Sequence, residues 1–221
     1  MSSSFVTRAL DGAVTRVDVV EGTMKNRRSF SYTLFDTAIG RCAVAWSDRG
    51  IVRIQLPEAS DAKAFRRLAM TDDLALSEPP AAVANAIAQI RLHLEGDRQD
   101  FRDVPLDMSE VMGFYLRVYQ AARRVAAGRT ISYGELATRI GAPGAARAVG
   151  QALGKNPFPI VVPCHRVLAA HGRAGGFSAY GGLSTKRRIL AAEGVELEQP
   201  GPPRRQPAAV EAQTAKMTGP R

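Results

Sequence analysis

Asn156-Pro157-Phe158-Pro159-Ile160-Val161-Val162-Pro163-Cys164-His165-Arg166-Val167-Leu168 is the stretch from which the rest of the chain is read. Three prolines restrict the backbone on both sides of an apolar run, and Ile160 to Val162 reads as a short buried strand that delivers Cys164 at its end. A thiol attacks well only as thiolate, and a neighbouring imidazole is a common way to make one. Cys164 is therefore the candidate nucleophile. His165 is the candidate base, acting directly or through a water. A lone cysteine is more commonly a buried structural residue, and Cys42, in a strand without a polar partner, keeps that reading. His93 and His171 read as ordinary core or surface histidines.

A third group follows from periodicity. On the helix expected from Ser184 to Glu193, Lys186, Ile189, Leu190 and Glu193 share one face, so the carboxylate lies on the apolar side near the carboxy-terminal end. Burial and the helix dipole both disfavour a negative charge there. An inward glutamate needs a partner, and His165 is the expected one, its imidazole oriented by the acid as in a hydrolase triad.

Composition bounds the alternatives. With 221 residues, 45% of them apolar, the chain can bury one sizeable core or two small ones. No run of about 18 apolar residues exists to span a membrane, and the amino terminus lacks the order of a secretory signal, which makes a cytoplasmic protein the expectation. The two cysteines, Cys42 and Cys164, stand far apart without a Cys/His cluster, so neither a disulfide framework nor a zinc site is expected. Nucleophile and base are both side chains, and no metal or organic cofactor is expected. The net charge of +9 is unevenly spread: residues 108–195 hold twelve basic and three acidic side chains, whereas residues 1–107 hold fourteen and fifteen. A polyanion is drawn to the half that contains Cys164.

Residues 1–28 lack sustained periodicity and read as a loosely ordered arm, in which Met24 is an alternative start to Met1. An α/β unit is expected over 29–107. Phe30, Tyr32 and Leu34 alternate with polar residues, Ile39 to Trp46 is apolar, and Val52, Ile54 and Leu56 alternate again, which predicts a three-stranded antiparallel meander. Helices are expected over Asp61 to Met70 and Pro80 to Leu94, the second closed by Gly96. The unit over 108–195 reads as mainly helical. Phe114, Val118, Ala121, Ala122 and Val125 form one stripe, and Ser132 with Glu135 is a capping box that opens the next helix. Pro143 is expected to start a third, with Ala145, Ala148, Val149, Ala152 and Leu153 inward and Ala146, Arg147, Gly150 and Gln151 outward. This is a helix-turn-helix pattern whose small outward face suits approach to a nucleic-acid groove. Residues 196–221 are rich in proline and poor in bulky apolar residues, and a disordered tail is expected.

The segments Asn156 to Leu168, ISYGELA (Ile131 to Ala137) and AARAVG (Ala145 to Gly150) resemble the O6-alkylguanine-DNA alkyltransferases, the methylated-DNA:protein-cysteine methyltransferases. The likeness is sharp over Thr130 to Gly194. It implies a ribonuclease-H-like amino-terminal domain, a winged-helix-like carboxy-terminal domain, and direct repair of alkylated bases. On the same basis Cys164 accepts a methyl or small alkyl group from O6 of guanine, and from O4 of thymine, once per molecule. Tyr133 contacts the backbone beside the target and assists protonation of the departing base. Arg147 fills the gap left by the extruded nucleotide, flanked by Ala146, Gly150 and Gln151 on the same helix. Asn156 ties that helix to the active-site loop. Pro159, Val167, Phe177, Ser178 and Tyr180 are the implied lining of the base and alkyl pocket, with Phe177 or Tyr180 as the lid and Ser178 offering its backbone amide to O6. The GGFSAYGG loop is about two residues longer than the family's shorter version. The implied partner is double-stranded DNA carrying alkylated bases, bound by a monomer. The competing readings are a non-catalytic relative that flags damage, which generally lacks the cysteine, and a helix-turn-helix regulator with a sensor thiol.

Overall fold

The computed structural model describes residues 29–69, 74–111 and 113–197; the expected arm over 1–28 and the tail beyond 197 lie outside them. Strands β1 (Phe30–Thr37), β2 (Gly40–Ser47) and β3 (Gly50–Gln55) form the expected antiparallel meander. A fourth strand, β4 (Leu74–Leu76), pairs in parallel with β1, giving the order β3-β2-β1-β4. Three residues are too few to show an alternating pattern, and this edge strand is not legible in the sequence.

Helices α1 (Asp61–Leu68) and α2 (Ala81–Glu95) cover opposite faces of the sheet. Cys42, Val44 and Trp46 of β2 face the main core with Val83, Ala86, Ile87 and Ile90, while Ala43 and Ala45 face a smaller cluster with Val52 and Leu68. That is why β2 reads as a continuous apolar run rather than an alternating one. Helix α1 ends two residues before the expected Met70, and Pro80 caps α2 from outside. The turn into β3 requires glycine: Gly50 has φ +137°, and a Cβ there would lie 2.7 Å from the carbonyl oxygen of Pro105.

In the second half, α3 (Gly113–Arg123) buries Val118, Tyr119 and Ala122, and the Tyr119 hydroxyl donates to the Ala152 carbonyl at 2.9 Å. The capping box forms as expected, Ser132 Oγ accepting from Glu135 N at 3.1 Å and Glu135 Oε2 from Ser132 N at 2.7 Å, and opens α4 (Tyr133–Arg139). Helix α5 (Ala146–Gly154) starts three residues after the expected Pro143, because Pro143 and Gly144 form the turn between the two helices. The expected strand over Ile160 to Val162 is a correction: the segment is buried but turns, with Ile160 at φ 74° and Val162 N donating to Phe158 O at 2.7 Å. An apolar run of this length fits a buried turn as well as a strand. The pairing partner of β5 (Ile131–Ser132) is instead β6 (Val167–Leu168), just after Cys164-His165-Arg166, and α6 (Leu183–Ala192) closes the half.

The halves share one continuous core that runs from Val44 and Trp46 to Val149 and Ile189. Backbone bonds cross between them, Ile54 N donating to Pro157 O at 2.8 Å, so β3 supports the loop that carries Cys164. From α6, Arg188 donates to the Ala38 and Ile39 carbonyls at the β1–β2 turn.

Candidate active site

Cys164 opens a 3-10 turn, Cys164–Arg166, which points the thiol and the imidazole in different directions. The thiol is half-buried at the junction of two cavities, while His165 and Arg166 are packed inside. Asn156, just beyond α5, donates from Nδ2 to Val162 O at 2.8 Å and accepts at Oδ1 from Phe158 N at 2.9 Å. These two bonds tie the end of helix α5 to the loop that carries Cys164. Burial pushes the Cys164 thiol above its ordinary pKa, while a hydrogen bond from Asn156 and the charge of Lys186 act against that rise. The resting group is a thiol and needs a base.

The expected base, His165, is packed in the interior. His165 Nε2 lies 2.7 Å from Glu193 Oε1, and Glu193, the residue that caps α6, has no exposed surface. Five further contacts hold that carboxylate. Arg166 Nη2 donates to Oε1 at 2.8 Å and Arg166 Nε to both oxygens at 3.0 Å. Gly128 N donates to Oε2 at 3.2 Å, and His93 Nε2 lies 2.9 Å from Oε1. Burial alone would raise the Glu193 pKa, but hydrogen bonds from His165 and His93 and the Arg166 pair outweigh it, and the group is held far below the usual carboxylate range. An ionised carboxylate only accepts, so His165 must be protonated at Nε2, which leaves Nδ1 as a bare lone pair. Nδ1 is buried and has no hydrogen-bond partner. Burial lowers the His165 pKa to about 4 against the pull of Glu193, with Arg166 and His93 adding to the drop, so the ring is neutral at pH 7.

His93, His165 and Glu193 offer ligand atoms within 4.8 Å of one another, but the cluster does not suit a cation. Both facing ring nitrogens spend their protons on the carboxylate, and the Arg166 guanidinium already supplies the counter-charge.

On the open side, a cavity of about 870 Å³ is bounded by Tyr133, Ala146, Arg147, Gly150, Gln151, Cys164, Phe177 and Ser178, which brings most of the expected site together. Tyr133 begins α4, and its ring lies against Gly150 of α5 and Gly175 of the following loop. A Cβ at Gly175, which has φ +67°, would stand 3.2 Å from the Tyr133 hydroxyl. Burial, followed by the neighbouring Cys164, raises the Tyr133 pKa, so the phenol keeps its proton. Arg147 and Gln151 are exposed on the outer face of α5. A second cavity of about 360 Å³ reaches Cys164 past Asn156, Pro159, Phe177 and Ser178.

Two of the expected pocket residues lie elsewhere. Val167 is fully buried in β6 and lines neither cavity, because its side chain belongs to the core beneath the two-stranded sheet. Tyr180 is 54% exposed and also lines neither, so of the two expected lid residues only Phe177 borders the cavities that reach Cys164. Sequence reasoning missed Arg166, His93 and Lys186. A buried glutamate next to a Cys-His-Arg run signals the need for a cation, and Arg166 was legible on that ground. Lys186 is fully buried, donates from Nζ to Val167 O at 2.7 Å, and has its pKa lowered by burial to about 8 with Cys164 opposing.

No described helix is long and apolar enough to cross a membrane. Residues 113–195 match the family model described as 6-O-methylguanine DNA methyltransferase, DNA binding domain, and residues 30–108 match the ribonuclease-like domain of the same description. A methylated-DNA–protein-cysteine methyltransferase from Mycolicibacterium paratuberculosis is 48% identical over 119 residues, covering 53% of this chain and 68% of that protein. One from Methanothermobacter thermautotrophicus is 37% identical over 155 residues, covering 70% of this chain and 80% of its own length. The crystal structure of Mycobacterium tuberculosis OGT in complex with DNA superposes with a TM-score of 0.60 at 36% identity, over 74% of this chain and 92% of that one.

Proposed function

Since the chain belongs to the 6-O-methylguanine DNA methyltransferase family and so transfers a methyl group from O6-methylguanine in DNA to a protein cysteine, a direct reversal of damage, we propose that Cys164 is the acceptor. One observation carries this reading: the half-buried thiol opens on the cavity bounded by α5, and behind it stands a neutral imidazole whose bare Nδ1 is aimed away from its carboxylate.

The thiol proton passes to His165 Nδ1 through a water, and Glu193 steadies the imidazolium that forms. The thiolate attacks the methyl carbon in line with the carbon–oxygen bond, and the bonding electrons leave with guanine. The departing base takes a proton from the Tyr133 hydroxyl, and the proton held by His165 reaches Tyr133 by way of solvent. Guanine is restored, and the sulfur ends as a methyl thioether. A thioether does not hydrolyse, so each molecule acts once.

The methyl group of a stacked nucleotide is out of reach of a thiolate until the nucleotide swings out, at a cost of a few kcal/mol. Arg147, on the exposed face of α5, would occupy the vacancy, with Ala146, Gly150 and Gln151 against the groove. Ser178 would offer its backbone amide to O6. The substrates on this reading are duplex DNA carrying O6-methyl or small O6-alkyl guanine and O4-alkyl thymine, bound by a monomer in the cytoplasm.

Mass spectrometry after incubation with a duplex containing O6-methylguanine tests the assignment. One methyl group is expected on the peptide that holds Cys164, and Cys164→Ser is expected to abolish it while DNA binding persists. A methyl group on any other residue, or none, would remove Cys164 from the role.

A further inference from the structure

His93 lies on the last turn of α2, in the half of the chain remote from the nucleophile motif, yet its ring is buried against Glu193 and packs edge-on to Phe101 with centroids 5.0 Å apart. Its hydrogen bonds fix its tautomer. The Gln99 amide N–H donates to Nδ1 at 3.1 Å, and an amide N–H is only a donor, so Nδ1 carries no proton and Nε2 does. That proton points at Glu193 Oε1, the same oxygen that receives His165 Nε2 and Arg166 Nη2.

We infer that His93 is a positioning residue for methyl transfer: by donating to Glu193 Oε1 it shares the lone pairs that would otherwise all serve His165, and so sets how strongly His165 holds an added proton. A carboxylate oxygen that accepts several donors gives less to each, and the donor supplied by the first half of the chain keeps the base neutral between proton transfers. The charged and titratable groups that face His165 are Glu193 from the end of α6, Arg166 from its own turn and His93 from α2. Cys164 stands beside it, with Lys186 acting on the thiol. Arg98 lies over Gly128, whose amide also binds Glu193. Among the described residues of the first half, only His93 donates to the carboxylate. The inference rests on His165 being the base for Cys164.

Two substitutions separate this role from simple packing. In His93→Asn the amide oxygen stands where Nδ1 stood and keeps the Gln99 bond, but the side chain stops short of Glu193. In His93→Gln an N–H stands where Nε2 stood and keeps the donor to Glu193. Single-turnover transfer from an O6-methylguanine duplex is followed against pH, together with NMR titration of the His165 ring in both variants. The Asn variant is expected to lose rate below roughly pH 6, near the ordinary histidine value, and its His165 to titrate higher than in the wild type. The Gln variant is expected to keep the wild-type profile and titration. A His165 titration unchanged in the Asn variant, or displaced equally in both, would overturn the inference. The NMR titration reads the coupling without any transfer, so a failure of the transfer assignment and a failure of this coupling give different results.

Discussion

Glu193 shows how much of the site is decided by one residue. Its ionised state is sustained by N–H groups from Gly128, His93, His165 and Arg166, and its ionisation in turn fixes which nitrogen of His165 is free. Acid acts on both groups in the same direction. The folded His165 has a pKa of about 4 against an ordinary 6.5, so the unfolded chain binds its proton first and stability is lost as pH falls from about 6.5 towards 4. Glu193, lowered in the folded state, contributes stability above its ordinary 4.5 that is lost below it. Thermal unfolding at constant ionic strength should show Tm falling between pH 6.5 and 4, with His165 accounting for up to about 3 kcal/mol. A level Tm across that window would contradict a neutral His165.

At the scale of elements, α5 and the loop after it form one device. Arg147 and Gln151 face outward on the helix, and Asn156 locks its end to the segment that carries Cys164. If Arg147 supports the extruded nucleotide, Arg147→Ala should slow transfer from duplex DNA by about tenfold or more, the equivalent of 1–2 kcal/mol, and leave transfer from free O6-methylguanine base unchanged. Equal losses on both substrates would place Arg147 elsewhere in the reaction. The elements legible in the sequence are those whose signals are local: the capping box at Ser132, the left-handed close of α2 at Gly96, the meander, and the inward glutamate at the end of α6. Ile160 to Val162 was misread because burial without period does not separate a strand from a turn. His93 was beyond reach. Its partner is 100 residues away, and nothing in the surrounding apolar helix distinguishes a histidine that holds a carboxylate from one that fills space.

For the whole molecule, two family models divide the chain near residue 110, but one core runs through both halves. The first half does not contain Cys164 and has no basic excess, with fourteen basic and fifteen acidic side chains over 1–107. It supplies support, through β3 to the loop at Pro157 and through α2 to Glu193. The second half carries twelve basic and three acidic side chains over 108–195, so affinity for undamaged duplex should fall steeply and linearly on a log–log plot as salt rises. Transfer from the free base should change little over the same range. A binding constant insensitive to salt would mean that this charge does not meet phosphate.

The pairing of Glu193 with Arg166 constrains the ways in which such a protein can diverge. Loss of either partner alone leaves a buried charge without its counter-charge, at a cost of about 3 to 5 kcal/mol, a large share of what a domain of this size has to spare. A lineage that abandons the glutamate must therefore change the arginine in nearly the same step. The intermediate genotypes are folding-defective before they are repair-defective, so drift at this spot should show up as correlated double replacements and seldom as single ones.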